Sequence, residues 1–138
     1  MMPRWEHFED GAGVGLRGLG DGKAEAFAQA ALALTAAHAD PALVRATGPV
    51  ELRCTAADDE QLLAQWLNTL VYEMARRRML FSKFEVRVEQ GRLSALAWGE
   101  GLDARRHGAL ELKGATLSSP RVARHGASWL AQAVMEPR

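Results

Sequence analysis

The chain carries a single cysteine, Cys54, in 138 residues. That excludes an intramolecular disulfide and any cysteine-based zinc site. Its setting, the alternating run PVELRCT, suits a buried and inert thiol. Neither sign of charge is in excess, since 17 Lys and Arg balance 17 Asp and Glu. Dedicated nucleic-acid binders usually carry a basic surplus that neutralises phosphates. No run of about 18 apolar residues occurs, and MMPRWEHFED lacks the apolar core of a secretory signal, so a cytoplasmic protein is expected. The run AEAFAQAALALTAAHA is interrupted by Glu25, Gln29 and His38, which suits a core helix. No G-K-[ST] triplet exists for a P-loop, and His7, His38, His107 and His125 form no His-x-x-x-His pair. The serines sit in no G-x-S-x-G elbow.

What is present fits one domain, residues 1–138, with alternating strands and two helices. RWEHFE alternates as a first strand, with Trp5, His7 and Glu9 on one side. VGLRG reads as a second strand broken by glycines. A helix opens at GDGKAEAF, with Asp21 or Gly22 as N-cap, and fades by Asp40-Pro41. GPVELRC is a strand with Val50, Leu52 and Cys54 on one face. TAADDEQLLAQWLNTLVYEMARRR is the clearest helix, capped by a Thr55–Asp58 box or by Asp58 or Asp59 alone. Two strands follow around Gln90-Gly91, then a polar connection GEGLDARRHGA, the run LELKGATLS, and a last strand with Trp129, Ala131, Ala133 and Met135 on one face. Helices separated and followed by antiparallel strands imply an α+β two-layer sandwich, mainly antiparallel, with two helices on one face.

The segment Gly13 to Gly18, GVGLRG, matches the G-x-G-x-x-G pattern of dinucleotide loops. Its surroundings do not: the helix does not open at Gly18, and Asp40, about 20 residues on, follows a helix instead of a second strand. A bent edge strand that uses glycine for tight geometry is the alternative. Near it, His7, Asp10, Glu6 and Glu9 form an acidic strand end that suits either solvation or a hard cation. Arg76, Arg77 and Arg78 end the second helix. They either complement the helix dipole or form a basic docking patch for RNA or an acidic protein surface.

Several segments, read in order, resemble the archease family. EDGAGVGLRGLG (9–20) is similar to a family motif close to EHTADVGIRAYG. LLAQWLNTLVYEMARRRMLFSKFEV (62–86) is similar to the LLVDWLNELLYLFD…GLVFSRFEV type, GEGLDARRHGALELKGATLSS (99–119) to GEPLDRERHELRTEIKAVTYH, and WLAQAVMEPR to the terminal strand. The resemblance implies a non-enzymatic protein cofactor or chaperone that supports a tRNA-splicing RNA ligase by promoting its guanylylation and turnover. It also implies a metal, usually calcium, between the Asp of the HTAD motif and an Asp near the C-terminus. Gly13 stands at the first of these positions, Asp10 at the histidine position and Glu136 at the last. A weakened or lost Ca2+ site is therefore expected, with Asp10 and Glu136 as its carboxylates and Lys113, Thr116 and His7 as further polar groups. Two functions follow as expectations: a ligase cofactor with its site altered, associated with RNA through the ligase, or an archease-fold interaction module that has lost metal binding and ligase activation.

Overall fold

The computed structural model describes residues 2–11, 13–108 and 115–137. In chain order they form β1 (Arg4–Asp10), β2 (Gly13–Gly20), α1 (Lys23–Ala36), a 3-10 turn (Pro41–Leu43), β3 (Thr47–Thr55) and α2 (Asp59–Arg77). Then follow β4 (Met79–Glu89), β5 (Arg92–Gly101), the one-turn α3 (Ala104–His107), β6 (Ala115–His125) and β7 (Ser128–Pro137). The strands divide into a four-stranded sheet, ordered β1-β2-β7-β6, and a three-stranded sheet, ordered β3-β5-β4. All their pairings are antiparallel.

The α+β architecture matches the sequence reading, and the division into two sheets adds to it. The chain leaves the first hairpin for α1 and returns to that sheet only with β6 and β7. Both helices touch both sheets, so the core lies where Phe27, Leu34, Leu63, Trp66 and Leu67 meet Leu16, Ala131 and Ala133 on one side and Leu52, Leu93 and Ala97 on the other. The buried Trp66 indole donates its N–H to the Phe27 carbonyl at 3.0 Å, which ties α2 to α1 without an unpaired polar atom. The end of α1 is tied to the three-stranded sheet as well. Thr35 in the last turn of α1 donates its hydroxyl to the Phe81 carbonyl at 2.6 Å, near the start of β4.

Asp58 is the N-cap of α2, its Oδ1 accepting the Gln61 N–H at 2.8 Å. For α1 the N-cap is Gly22, and the Glu25 carboxylate reaches back to accept the Asp21 N–H at 2.8 Å. α1 ends at Ala36, before Asp40-Pro41 as expected, and Asp40 caps the short 3-10 turn that follows. Gln90 and Gly91, both at positive φ, make the expected hairpin turn. The expected polar connection contains α3, which forms because the Asp103 side chain accepts the Arg105 N–H at 3.0 Å. No helix among the described residues is long and apolar enough to cross a membrane.

The edge position expected for GVGLRGLG is corrected: β2 lies inside its sheet, between β1 and β7. Close packing is what its glycines permit. A Cβ on Gly18 would lie 2.1 Å from the Ala26 carbonyl oxygen and 2.3 Å from the Ala30 nitrogen, so only glycine lets α1 settle this close. One position on the opposite face, Gly15 leaves the space that the Phe8 ring fills. This is a strand under a ring and a helix, not a loop that cradles a phosphate.

Candidate functional site

Alternation places even-numbered β1 residues and odd-numbered β2 residues on the sheet face away from α1. Asp10 is paired with Gly13. One step beyond the Val14–Met135 pair, Gly13 stands opposite Glu136, and Glu136 is paired with Thr116. The Cγ of Glu136 lies 3.1 Å from where a Gly13 Cβ would stand. Asp10, Gly13, Glu136 and Thr116 therefore form one row across all four strands. Asp10 and Glu136 are separated by the β2 strand, roughly 10 Å at the backbone, and both are exposed.

On the same face, Arg17 occupies the middle of the sheet. Its Nη1 donates to Glu6 Oε1 at 2.8 Å and its Nε to Gln132 Oε1 at 2.9 Å, while its guanidinium lies 4.5 Å from the centre of the Phe8 ring. The hydrogen bond from Arg17 holds the Glu6 carboxyl below its ordinary range.

His7 is not part of the row. Three residues before Asp10, it points to the other face, and its Nε2 donates to the Ala33 carbonyl at 2.7 Å. Lys113 lies outside the described residues. Cys54 is buried beside the Thr69 hydroxyl at 3.5 Å, and burial pushes its thiol up, away from the reactive thiolate. The arginines at the end of α2 are partly compensated. Arg76 and Arg77 share one oxygen of Glu73, at 2.9 and 2.7 Å. Burial pushes the Glu73 carboxyl up, but the two arginines outweigh it and its range is lowered. Arg78 takes a left-handed conformation as the C-cap, and its carbonyl accepts the Leu102 N–H at 3.0 Å.

A cluster that sequence reasoning missed surrounds Glu100, in the segment read as a connection. Its carboxylate accepts the Arg45 backbone N–H at 2.7 Å, Arg106 Nη1 at 2.5 and 2.6 Å, and His107 Nε2 at 3.0 Å. The backbone N–H of Asp103 donates to His107 Nδ1 at 3.0 Å, so that nitrogen is an acceptor and Nε2 carries the proton. The Arg45 N–H, with Arg106 and His107, lowers the Glu100 carboxyl from 4.5 to about 2. Arg106 also donates to the Leu43 carbonyl at 2.7 Å, which fastens α3 to the turn before β3. The four-residue spacing of Asp103 and His107, which returns the ring to the start of its own turn, was the available signal.

A trough of about 470 Å³ on the outer face of the three-stranded sheet is lined by Glu51, Arg53, Glu85, Arg87, Ser94 and Leu96. None of the row residues lines it, and Asp10, Thr116 and Glu136 are exposed.

Residues 5–136 match the model of the Archease protein family. The chain belongs to the archease family. It is 33% identical to protein archease of Pyrococcus abyssi, over 96% of this chain and 98% of that one. With protein archease of Sulfurisphaera tokodaii it shares 34% identity over 77% of this chain and 78% of the other. The solution structure of Methanobacterium thermoautotrophicum protein 1598 superposes with a TM-score of 0.75 at 24% identity, covering 96% of this chain and 97% of that one. An archease from Thermotoga maritima, described as a possible chaperone, superposes with a TM-score of 0.55 at 12% identity, covering 95% of each chain.

The calcium expectation attached to the archease resemblance can be set against the row. Calcium takes about six to eight oxygens, whereas the row brings two carboxylates from either side of a strand with no side chain at Gly13. A Cβ there would stand 2.7 Å from Val134 Cγ1, so the space between them is already narrowed by valine. No group of three or more His, Cys, Asp or Glu suited to a metal occurs among the described residues. These residues do not fit a calcium cage.

Proposed function

We propose that this chain is an accessory protein that acts by contact on a tRNA-splicing RNA ligase, promoting its guanylylation and turnover. The observation that carries the reading is the in-register row of Asp10, Glu136 and Thr116 in a chain of the archease family. The row is exposed, borders the Arg17 network, and sits on a sheet held rigid by α1 and α2. A rigid polar ridge of this kind suits insertion into a partner's site better than chemistry of its own. Lys113, two residues before β6, belongs to the same proposed contact, as does the association with RNA through the ligase.

The test is multiple-turnover RNA ligation by the cognate ligase with GTP and metal, with and without this protein. Acceleration that Asp10→Ala and Glu136→Ala reduce at least about tenfold supports the reading, with Arg53→Ala as a control outside the row. Unchanged ligation rates overturn it. Gly13, which puts no side chain where the family pattern has a carboxylate, favours a second reading, an interaction module without ligase activation. Stable binding of the ligase with no rate change would select that one.

A further inference from the structure

A net charge of zero still leaves local clusters of one sign, although Lys23 and Arg124 stack on Trp129 beside the start of α1. Asp21, Glu25, Asp58, Asp59 and Glu60 gather where α1 and α2 begin, joined by the 2.7 Å bridge from Lys23 to Asp59. At the opposite end Thr35 of α1 bonds to Phe81 of β4, the strand that follows α2. Here six arginines, Arg45, Arg76, Arg77, Arg78, Arg105 and Arg106, face three carboxylates, Glu73, Glu100 and Asp103. They are held together by the backbone. Arg45 and Arg106 meet at Glu100, the Leu102 N–H bonds to the Arg78 carbonyl, and Asp103 anchors the Arg105 N–H. Arg45, Arg76, Arg77, Arg78 and Arg105 are exposed.

A second feature leads into this corner. The exposed face of α2 carries Gln61, Gln65, Asn68, Tyr72 and Arg76 at helical spacing, with no acid among them. Gln61, Gln65 and Asn68 line a notch of about 330 Å³. Tyr72 is 62% exposed, an unusual position for a large ring, and Arg76 lies one turn further on. Carboxamides pair with base edges, an exposed ring stacks on an unpaired base, and guanidinium groups bind phosphates through planar forks. Single-stranded RNA uses all three kinds of group at once, along one stripe.

From this arrangement we infer that the arginine corner and the outer face of α2 bind single-stranded RNA, with Tyr72 stacking on a base and Arg45, Arg78 and Arg105 holding phosphates. The inference extends the ligase reading by giving the accessory protein its own hold on the RNA. The corner lies at the same end of the molecule as the start of β2, and hence of the Asp10–Glu136 row, so RNA and ligase would be met from one side.

The test is fluorescence anisotropy of the protein alone with a short labelled single-stranded RNA, at about 50 to 200 mM salt. About three neutralised phosphates give a slope of about −2 in log affinity against log salt. Arg78→Ala with Arg105→Ala should flatten that slope to about −1 or less, each lost contact removing about 0.7. Tyr72→Ala should weaken binding about tenfold and leave the slope unchanged. Melting temperatures close to that of the parent chain confirm that the variants fold. No binding at low salt overturns the inference. So does equal binding of polyglutamate or duplex RNA with Tyr72→Ala silent, which would mark a surface for an acidic protein or for charge alone. Because the ligase is absent, RNA binding without ligase activation removes only the ligase reading, and activation without RNA binding removes only this inference.

Discussion

Replacing Glu100 by Gln tests whether the cluster around it holds the base of the fold. The substitution keeps the shape but leaves one amide oxygen to serve the Arg45 N–H, Arg106 and His107, and it adds N–H groups that face other donors. Removing one partner of a largely buried pair costs about 3–5 kcal/mol. The Glu100 side chain is 16% exposed, so a loss of about 3 kcal/mol is expected at pH 7, or roughly 10 °C in melting temperature. The loss must depend on pH. In the folded chain Glu100 has its pKa lowered from 4.5 to about 2, so its contribution is complete above about pH 5 and disappears as pH falls through the folded value. Urea denaturation of both proteins at pH 7 and pH 3 should show the stability difference falling by about half at the lower pH. An equal difference at both pH values refutes the charge argument, and no difference at pH 7 refutes the role of the cluster altogether.

Gly18→Ala should cost about 3 kcal/mol in chemical denaturation, because the new methyl meets the α1 backbone. Gly22→Ala, where nothing lies within 4 Å, should cost under about 1 kcal/mol, and equal effects would remove the packing explanation. Thr35→Val keeps the volume but deletes the buried bond to the Phe81 carbonyl. Urea melts should show a loss of about 1–2 kcal/mol, and a neutral result would mean that bond contributes nothing net.

Local patterns foretold the elements well because they depend on spacing alone. The alternation of Trp5, His7 and Glu9, the paired leucines from Leu62 to Met74, the Asp58 cap and the Gln90-Gly91 turn needed no knowledge of neighbours. Around the site the same rule failed at specific places. His7 was grouped with Asp10 by proximity in sequence, yet the two-residue period of a strand sends them to opposite faces. Arg76 and Arg77 suited either the helix dipole or a docking patch, and the sequence did not show that Glu73 on the same helix binds both.

By itself, then, the sequence determined the strand and helix periodicities, the α+β class, the family motifs and the absence of an Asp at Gly13. Tertiary structure decided that β2 is an inner strand, because its second edge pairs with β7, far away in sequence. Only pairing across the sheet could bring Asp10, Glu136 and Thr116 into one row, since register is set by strands more than 100 residues apart. The Glu100 cluster is likewise a product of folding. Glu100 on β5 and Arg106 and His107 on α3 meet backbone groups of Leu43 and Arg45 there, and no linear spacing encodes that meeting.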